Sequence, residues 1–374
     1  MTGSTPRIVF CFAGQGYVPL EAARDLFRTC DAFRQAILQI DEEIQSAVER
    51  KCLRRTFIPL SEYLSEPTTR PAYVPPFGEE ESNEGCNGDS LTTPSAPLVI
   101  FASQYALART LQSMGINPTD IVGYSLGEHC ASMVTGSLPL EAGLKLLLRR
   151  EGLFADRSLI PKEGGMMTVQ SPPPEVATFL AERGLSGAAD ISGYPHPGTT
   201  VLSGEATALD KIHGTMSSHG IDAQRRGIKF GMHANHVSGV ACEVRHNPSI
   251  FPASDSTDAV VRRGVAHWSN ITGTQLPPGT PLNANYWATH LTTPIHFKQC
   301  IEGIYQKYRG NEVVFLDLGM GPRLTRLVQN TLDKTKEWED GRIRAVGCVT
   351  RTEEKTDGWA MEVLKKNLDG LLKV

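Results

Sequence analysis

The sequence predicts an α/β protein in which a large domain with a parallel sheet is interrupted by a small α+β domain. Short apolar runs, typical of buried strands, alternate with segments of helical spacing along the first 156 residues. Over residues 157–228 the order becomes β-α-β-β-α-β, which is that of a ferredoxin-like domain. Apolar strand-like runs then resume. Residues 1–156 and 229–374 are therefore expected to form one domain, with 157–228 inserted in it.

The elements of the first part follow from apolar spacing. A strand is predicted at residues 7–12, and helical spacing covers 20–50. The acidic, Pro- and Gly-rich stretch 66–93 buries little and is expected to be a long surface loop. A helix, a short strand and a second helix are predicted next, over residues 98–114, 121–122 and 138–153.

The later elements are predicted in the same way. The inserted domain has strand-like and helical segments in alternation, at residues 165–170, 174–183, 188–192, 199–203, 206–219 and 221–228. Pro174 suits the first turn of its first helix. Beyond the insertion we expect two strands, a turn and a helix, over residues 266–271, 313–318, 286–289 and 294–308 respectively.

Composition excludes several classes of protein. The chain has 374 residues, of which 40% are hydrophobic, so it is long enough for two domains. Its net charge of −4, without a basic run, argues against nucleic-acid binding. No apolar stretch is long enough to span a membrane, and no signal peptide is visible. The eight cysteines form no C-x-x-C pair. We expect a cytoplasmic protein without a metal or a bound cofactor.

Residues 119–131 contain the pattern Gly123-x-Ser125-x-Gly127 between an apolar run and an Ala-rich helical segment. This is the form of a nucleophile elbow, a sharp strand-to-helix turn found in α/β-hydrolase-like domains. The helix that begins there presents free N–H groups to a developing negative charge. The pattern indicates a catalytic Ser125. The alternative is a tight turn whose serine only caps the helix.

A serine nucleophile needs a base and an oxyanion hole. His233 and His236 lie together in Gly-Met-His-Ala-Asn-His-Val, after the inserted domain. The residues alone do not choose between them, and each is equally compatible with a solvated loop. The amide of Leu126 and the turn around Gln15 are candidate oxyanion donors, although that turn also fits a plain strand–helix connection.

Motifs over nearly the whole chain, apart from residues 66–93, resemble the malonyl-CoA:acyl-carrier-protein transacylase family, which includes acyltransferase domains of polyketide and fatty acid synthases. Phe12-Ala-Gly-Gln-Gly resembles its F-x-G-Q-G opening, and Gly123-Tyr-Ser-Leu-Gly-Glu resembles G-H-S-x-G-E. His233-Ala-Asn-His236 resembles H-A-F-H, and an arginine follows the serine by 25 residues. The family's G-A-M-A-A-V, V-x-S-G, S-N-x-T-G, Y-W and G-P elements are similar to residues 165–169, 201–204, 269–273, 286–287 and 321–322.

The resemblance implies ping-pong chemistry with a coenzyme A thioester as substrate. Ser125 would take the acyl group as an oxyester, and His236 would be the base. The backbone carbonyl of His290, which precedes a Leu-x-x-Pro segment, would orient that base. The amides of Gln15 and Leu126 would form the oxyanion hole. The acceptor would be the phosphopantetheine thiol of an acyl carrier protein, in polyketide or fatty acid biosynthesis.

Arg150, 25 residues after the serine, is the substrate-binding residue that the resemblance implies. A guanidinium matches a carboxylate with two parallel hydrogen bonds, and malonyl has a free carboxylate whereas acetyl has none. Leu126 also favours malonyl over methylmalonyl. Three positions depart from the family: Tyr124 for histidine, Ala96 for glutamine and Asn235 for the phenylalanine of H-A-F-H. Tyr124 and Asn235 would both be substrate-binding residues that shape the acyl pocket. The change at Asn235 would either widen the pocket or add a hydrogen bond to the acyl chain.

We therefore expect a discrete acyltransferase acting in trans, with an excised synthase domain as the alternative. The carrier's acidic surface would meet basic residues at the cleft rim, for which Arg225, Arg226 and Lys229 are candidates. One rival function is a proofreading acyl hydrolase of the same fold, which uses water as acceptor. A second rival is a non-catalytic docking module that kept the fold.

Overall fold

A computed structural model describes residues 6–16, 20–53, 57–65, 93–251, 258–350, 357–369 and 371. Apart from Thr93, the stretch 66–93 that was expected to form a surface loop lies outside these residues. The fold class predicted from the sequence is confirmed. The described residues form a mixed α/β structure with one largely parallel sheet and one small antiparallel sheet.

The strands of the described residues are β1 (Arg7–Phe12), β2 (Asp120–Gly123), β3 (Gly164–Val169), β4 (Asp190–His196), β5 (Thr199–Glu205), β6 (Ala223–Arg225), β7 (Ala266–Trp268), β8 (Gln275–Leu276), β9 (Val313–Asp317) and β10 (Ile343–Gly347). The larger sheet has the order β10-β9-β1-β2-β7-β8. Its first five strands are parallel and β8 is antiparallel to β7. The carboxyl ends of β1 and β2 are therefore neighbours, where ligands bind in such sheets.

The helices of the described residues are α1 (Leu20–Thr29), α2 (Asp31–Glu49), α3 (Leu60–Ser65), α4 (Ala96–Ser113), α5 (Leu126–Val134), α6 (Leu140–Ala155), α7 (Pro173–Glu182), α8 (Ala206–Ser218), α9 (Ser238–His246), α10 (Ala284–Thr292), α11 (Phe297–Lys307), α12 (Arg323–Leu332), α13 (Lys336–Glu339) and α14 (Trp359–Leu368). A single 3₁₀ turn at Asn235–Val237 precedes α9. None of the described helices is long and apolar enough to cross a membrane.

The central strand β1 is buried on both faces, which is why it reads as a continuous apolar run rather than an alternating one. Phe10 and Phe12 pack into a core with α1, α2, α4 and α5. Val9 and Cys11 point the other way, into a core with α11 and α12. Helices thus cover both faces of the sheet and fix the position of its carboxyl edge.

The small sheet has the order β4-β5-β3-β6, and each neighbouring pair of its strands is antiparallel. Its helices α7 and α8 share a separate apolar core with β3 and β5, which includes Met167, Leu180, Leu202 and Leu209. This is the ferredoxin-like arrangement that the element order predicts. The exact domain boundaries at residues 156–157 and 228–229 stay predictions.

Several predicted elements need correction. Residues 286–289, predicted as a turn, lie inside α10, whose start is capped by Asn283 accepting a hydrogen bond from the Tyr286 amide. The predicted strand 221–228 shortens to the three residues of β6. β7 ends at Trp268 rather than at residue 271, because Gly273 adopts a positive φ of 70° and closes a turn onto Ser269. Elements α3, α9, β8, β10, α12, α13 and α14 were not predicted.

Candidate active site

Ser125 lies at the turn between β2 and α5, in a strained backbone conformation with φ 55° and ψ −117°. Few non-glycine residues adopt such angles, and they cluster at functional sites. The flanking glycines make the turn possible. A Cβ at Gly127 would collide with the backbone carbonyl of Phe12, and one at Gly123 with the backbone of Glu128. The strain therefore holds the serine outward from the edge of the sheet.

His233 is the histidine beside the serine. Its Nε2 lies 2.6 Å from Ser125 Oγ, and its Nδ1 lies 2.9 Å from the carbonyl oxygen of His290. The carbonyl can only accept, so Nδ1 carries the proton and Nε2 is free to accept one from the serine. His233 is 3% exposed. Burial, with the nearby His290 ring, lowers the pKa of His233 to about 3, so the ring is neutral at neutral pH.

The prediction of His236 as the base is wrong on this geometry. Its Nδ1 accepts a hydrogen bond from the Gly231 amide at 3.2 Å, and its Nε2 lies 3.2 Å from the carbonyl of Lys162. His236 thus ties the loop that carries His233 to the segment leading into β3. Its sequence neighbourhood could not show this, because both histidines lie in one short irregular stretch.

With His233 rather than His236 beside the serine, the register of the H-A-F-H resemblance moves by three residues. If its last histidine is His233, its phenylalanine position is Met232, which is 6% exposed. Asn235 is exposed, and its amide donates to Asp190 Oδ2 at 2.9 Å. The expectation that Asn235 shapes an acyl pocket is therefore not supported by its position.

The turn after β1 lies directly beside the elbow. The Tyr124 amide donates to the Phe12 carbonyl at 2.8 Å, and a Cβ at Gly14 would come within 3.2 Å of Ser125 Cβ. Gln15, which follows, and Leu126, the first residue of α5, are the residues expected to supply oxyanion donors. Both therefore belong to the segments that flank Ser125.

Gln104 of α4 holds the β1 turn from behind and was not found from the sequence. Its side-chain Oε1 accepts from the Ala13 amide at 2.5 Å, and its Nε2 donates to the Ala13 carbonyl at 3.0 Å. Gln104 is 1% exposed. One side chain thus satisfies both polar groups of Ala13, two residues before Gln15. Its only sequence signal was a glutamine inside an otherwise apolar helix.

Arg150, on α6, is 4% exposed. Its Nη1 donates to Nε2 of His129 at 2.9 Å. Among the described residues no ion pair joins its guanidinium to a carboxylate, but the charge of Glu151, the next residue in the chain, favours its charged form. Burial lowers the pKa of Arg150 to about 10, which still leaves it charged at neutral pH. Burial also raises the pKa of Glu151 to about 7, so this carboxyl is only partly ionised at neutral pH. The site therefore contains a buried cation that no carboxylate of the described residues contacts.

Tyr124 and Ala96 are the other two departures noted from the sequence. The Tyr124 ring packs edge-on against Phe297 at 5.4 Å, and the guanidinium of Arg323 lies 5.4 Å from its centroid. Burial raises the pKa of the Tyr124 hydroxyl, which stays protonated. Ala96 is buried and is the first residue of α4. The hydroxyl of Ser95 caps the N-terminus of this helix by accepting a hydrogen bond from the Leu98 amide.

The sequence model of the protein family described as the acyl transferase domain matches residues 9–365. The chain belongs to the acyl transferase domain family. It is 29% identical over 63% of its length to polyketide synthase GfsA of Streptomyces halstedii, and 22% identical over 99% to erythronolide synthase EryA2 of Saccharopolyspora erythraea. It spans only 3% and 9%, respectively, of those two proteins.

Solved structures share the fold of this acyl transferase domain. The acyltransferase domain from the second module of the salinomycin polyketide synthase superposes with a TM-score of 0.72 at 23% identity, covering 98% of this chain and 73% of that one. An acyl-carrier-protein S-malonyltransferase from Burkholderia pseudomallei gives 0.67 at 16% identity, covering 98% and 100%. At these identities the likeness supports the fold alone.

A buried hydrogen-bond network around Glu128 supports the elbow of this acyl transferase domain. Asn270 donates from Nδ2 to the Gly123 carbonyl at 2.6 Å and to Glu128 Oε2 at 2.5 Å, and Tyr286 donates to the other carboxylate oxygen. Burial alone would raise the pKa of Glu128, but the nearby rings of His267 and His290 outweigh burial and hold it well below its ordinary value. Glu128 is therefore ionised. The sequence already pointed to Glu128 and Asn270, because they are the last residue of the G-H-S-x-G-E resemblance and the asparagine of the S-N-x-T-G resemblance.

Among the described residues no group of three or more His, Cys, Asp or Glu side chains is arranged to hold a metal ion. The chemistry available at the site is that of a neutral histidine, a serine hydroxyl, backbone amides and a buried guanidinium. These groups suit acyl transfer through a serine ester.

Proposed function

We propose that this chain transfers malonyl, or a related dicarboxylic acyl group, from coenzyme A to the phosphopantetheine thiol of an acyl carrier protein. The observation that carries the proposal is the Ser125–His233 contact of 2.6 Å, with His233 oriented by the His290 carbonyl. A carbonyl orients the ring without adding charge. The pair has the geometry of a nucleophile and its general base.

In the first half-reaction His233 Nε2 takes the proton of Ser125 Oγ as that oxygen attacks the thioester carbonyl. The negative charge on the former carbonyl oxygen is met by the amides of Gln15 and Leu126. The C–S bond then breaks, and His233 returns the proton to the departing coenzyme A thiolate. In the second half-reaction the carrier thiol gives its proton to His233 and attacks the serine ester. The ester C–O bond then breaks, and His233 returns the proton to Ser125 Oγ.

The acyl group is selected by Arg150. A buried cation that no carboxylate contacts is costly, and a ligand that supplies the anion relieves this cost. The free carboxylate of malonyl would do so with paired hydrogen bonds, whereas acetyl would leave the guanidinium unpaired. We expect Arg150→Ala to lower malonyl transfer strongly and acetyl transfer far less.

The carrier is the partner that this reaction requires. Relatives of this chain are polyketide synthases, in which the domain is one part of a longer protein. Of the rim candidates, Arg226 is exposed and donates from Nε to Thr168 Oγ1 at 2.7 Å, while Arg225 pairs with Asp210 at 3.3 Å. We propose that Arg226 faces the carrier's acidic surface.

The test is intact-mass spectrometry after mixing the protein with malonyl-CoA. We expect a malonyl adduct on the wild type and none on Ser125→Ala. Addition of a phosphopantetheinylated carrier protein should then remove the adduct and produce malonyl-carrier. Rapid coenzyme A release without any acyl-carrier product would instead favour the proofreading hydrolase, and the absence of an adduct with any acyl-CoA would favour a non-catalytic docking module.

A further inference from the structure

His129, four residues after the nucleophile, is the group that fixes the buried arginine. Both side chains are almost fully buried, with 1% exposure for His129 and 4% for Arg150. The 2.9 Å contact joins Arg150 Nη1 to His129 Nε2. His129 has no role in the chemistry of Ser125 and His233 derived above.

The protonation state of His129 follows from its partner. A guanidinium can only donate, so Nε2 must accept and the proton of the imidazole sits on Nδ1. Burial and the adjacent Arg150 charge hold the pKa of His129 well below its ordinary value. The ring is therefore a neutral acceptor. It takes one N–H of Arg150 without cancelling the positive charge, which an Asp or Glu at this position would do.

The ring of His129 has little freedom to turn. It stacks on Trp287 with centroids 4.1 Å apart and planes 21° apart, and its edge meets His290 at 5.4 Å. Trp287 and His290 both belong to α10. The helix that orients the catalytic His233 through a carbonyl therefore also supports the residue that orients Arg150.

His129 takes one of the five N–H groups of Arg150, on Nη1, and leaves the edge formed by Nε and Nη2 available. Nε has no hydrogen-bond partner among the described residues. The Nε–Nη2 edge presents two parallel N–H groups, which is the fork that a carboxylate accepts. With His129 on one side, the guanidinium is held in one orientation before substrate arrives.

We propose that His129 is a specificity-determining positioning residue, which aims the Nε–Nη2 edge of Arg150 at the free carboxylate of a dicarboxylic acyl donor and does not itself neutralise the guanidinium. This inference rests on the proposed function, because it deepens the account of how the same site chooses its substrate. It assigns to His129 a role that is separate from the acylation chemistry.

The test compares the acylation rate, kcat/KM, for malonyl-CoA and acetyl-CoA in three variants. His129→Phe keeps an aromatic ring on Trp287 but removes the acceptor, and should lower the malonyl-to-acetyl ratio about tenfold or more, since small misplacements of a binding group have effects of up to ~10²-fold. His129→Gln restores an acceptor and should recover most of the ratio. His129→Glu neutralises Arg150 in advance and should give the lowest ratio. His246→Phe, at an exposed position on α9, is the control.

The double variant His129→Phe/Arg150→Ala shows whether His129 acts through Arg150. We expect its ratio to equal that of Arg150→Ala alone, because residues acting as one unit are not additive. Equal losses for both donors in His129→Phe, or a further fall of the ratio in the double variant, would overturn this inference alone. A wild type without preference for malonyl, or an Arg150→Ala variant with an unchanged ratio, would overturn the proposed substrate class and this inference with it.

Discussion

The histidine beside Ser125 is His233, which lies three positions before the His236 that was expected there. His233 adopts a positive φ of 58°, which is uncommon outside glycine and turns the chain so that the imidazole reaches the serine. His236 follows in the next turn and faces Lys162 instead. Motif resemblance found the segment, but a backbone angle decided which histidine is used.

The first prediction separates the two histidines. His233→Ala should slow formation of acyl-Ser125 by about 10²–10⁴-fold, since that is the usual contribution of a general base. His236→Ala removes only a loop contact and should slow it far less, with a measurable loss of loop order. Single-turnover acylation followed by intact mass checks both. A larger loss for His236→Ala than for His233→Ala would contradict the assignment.

The pH dependence of acylation follows from the low pKa of His233. Because burial lowers that pKa to about 3, the base is already deprotonated throughout the neutral range. The acylation kcat/KM should therefore show no inflection near the ordinary histidine pKa of about 6.5. The rate should fall only as the pH approaches about 3. A rate profile from about pH 5 to 8 measures this, and a tenfold loss per pH unit below 6.5 would show that the active base has an ordinary pKa.

At the scale of elements, the contact between α4 and the turn after β1 holds the segment that carries the proposed oxyanion donor Gln15. Gln104→Leu keeps the size of the side chain but leaves the buried amide and carbonyl of Ala13 unpaired. The turn should shift, and acylation should slow by about 10–100-fold, below the ~10²–10³ of a fully removed donor.

The neighbouring Ser103→Ala is the matched control for Gln104→Leu. Ser103 is equally buried on α4, but within the part of the chain that the structure describes its hydroxyl bonds only to the Val99 carbonyl of its own helix. It should lose some stability with little change in single-turnover rate. If the two variants lost rate in proportion to their loss of Tm, the effect of Gln104 would be general stability and the positioning role would fail.

Local pattern and long-range contact divide what the sequence could predict. Continuous apolar runs predicted β1, β2 and β9, because a strand buried on both faces needs little else. The elbow was predicted for the same reason, since its glycines and serine are adjacent in sequence. Residues such as Gln104 and His129 were missed because their partners are distant in sequence, 91 residues away for Ala13 and 21 for Arg150.

At the scale of the whole molecule, the small sheet has its own core but is also bonded to the large domain. Its core residues Met167, Leu202 and Ile212 pack among themselves. The backbone of β4 is tied to Ile295, which donates to the Ser192 carbonyl at 3.0 Å and accepts from the Tyr194 amide at 2.8 Å. Ile295 follows α10 by three residues, so the small sheet is joined directly to the segment that carries His290.

These two facts predict a specific order of opening. Leu202→Ala removes a fully buried side chain from the small core and should destabilise it by about 2–5 kcal/mol. The two backbone hydrogen bonds through Ile295 together contribute about 1–3 kcal/mol, so they offset this loss only in part. The small sheet should therefore open without the large one, which native-state hydrogen exchange would show as faster exchange in β3–β5 while β1 and β9 stay protected.

Leu316→Ala, in the large core, is the matched control and should speed exchange of β1 and β9. If Leu202→Ala accelerated hydrogen exchange equally in both sheets, the contacts through Ile295 would bind the two cores into one cooperative unit. Movement of the small sheet would then reach the His290 carbonyl only through global unfolding.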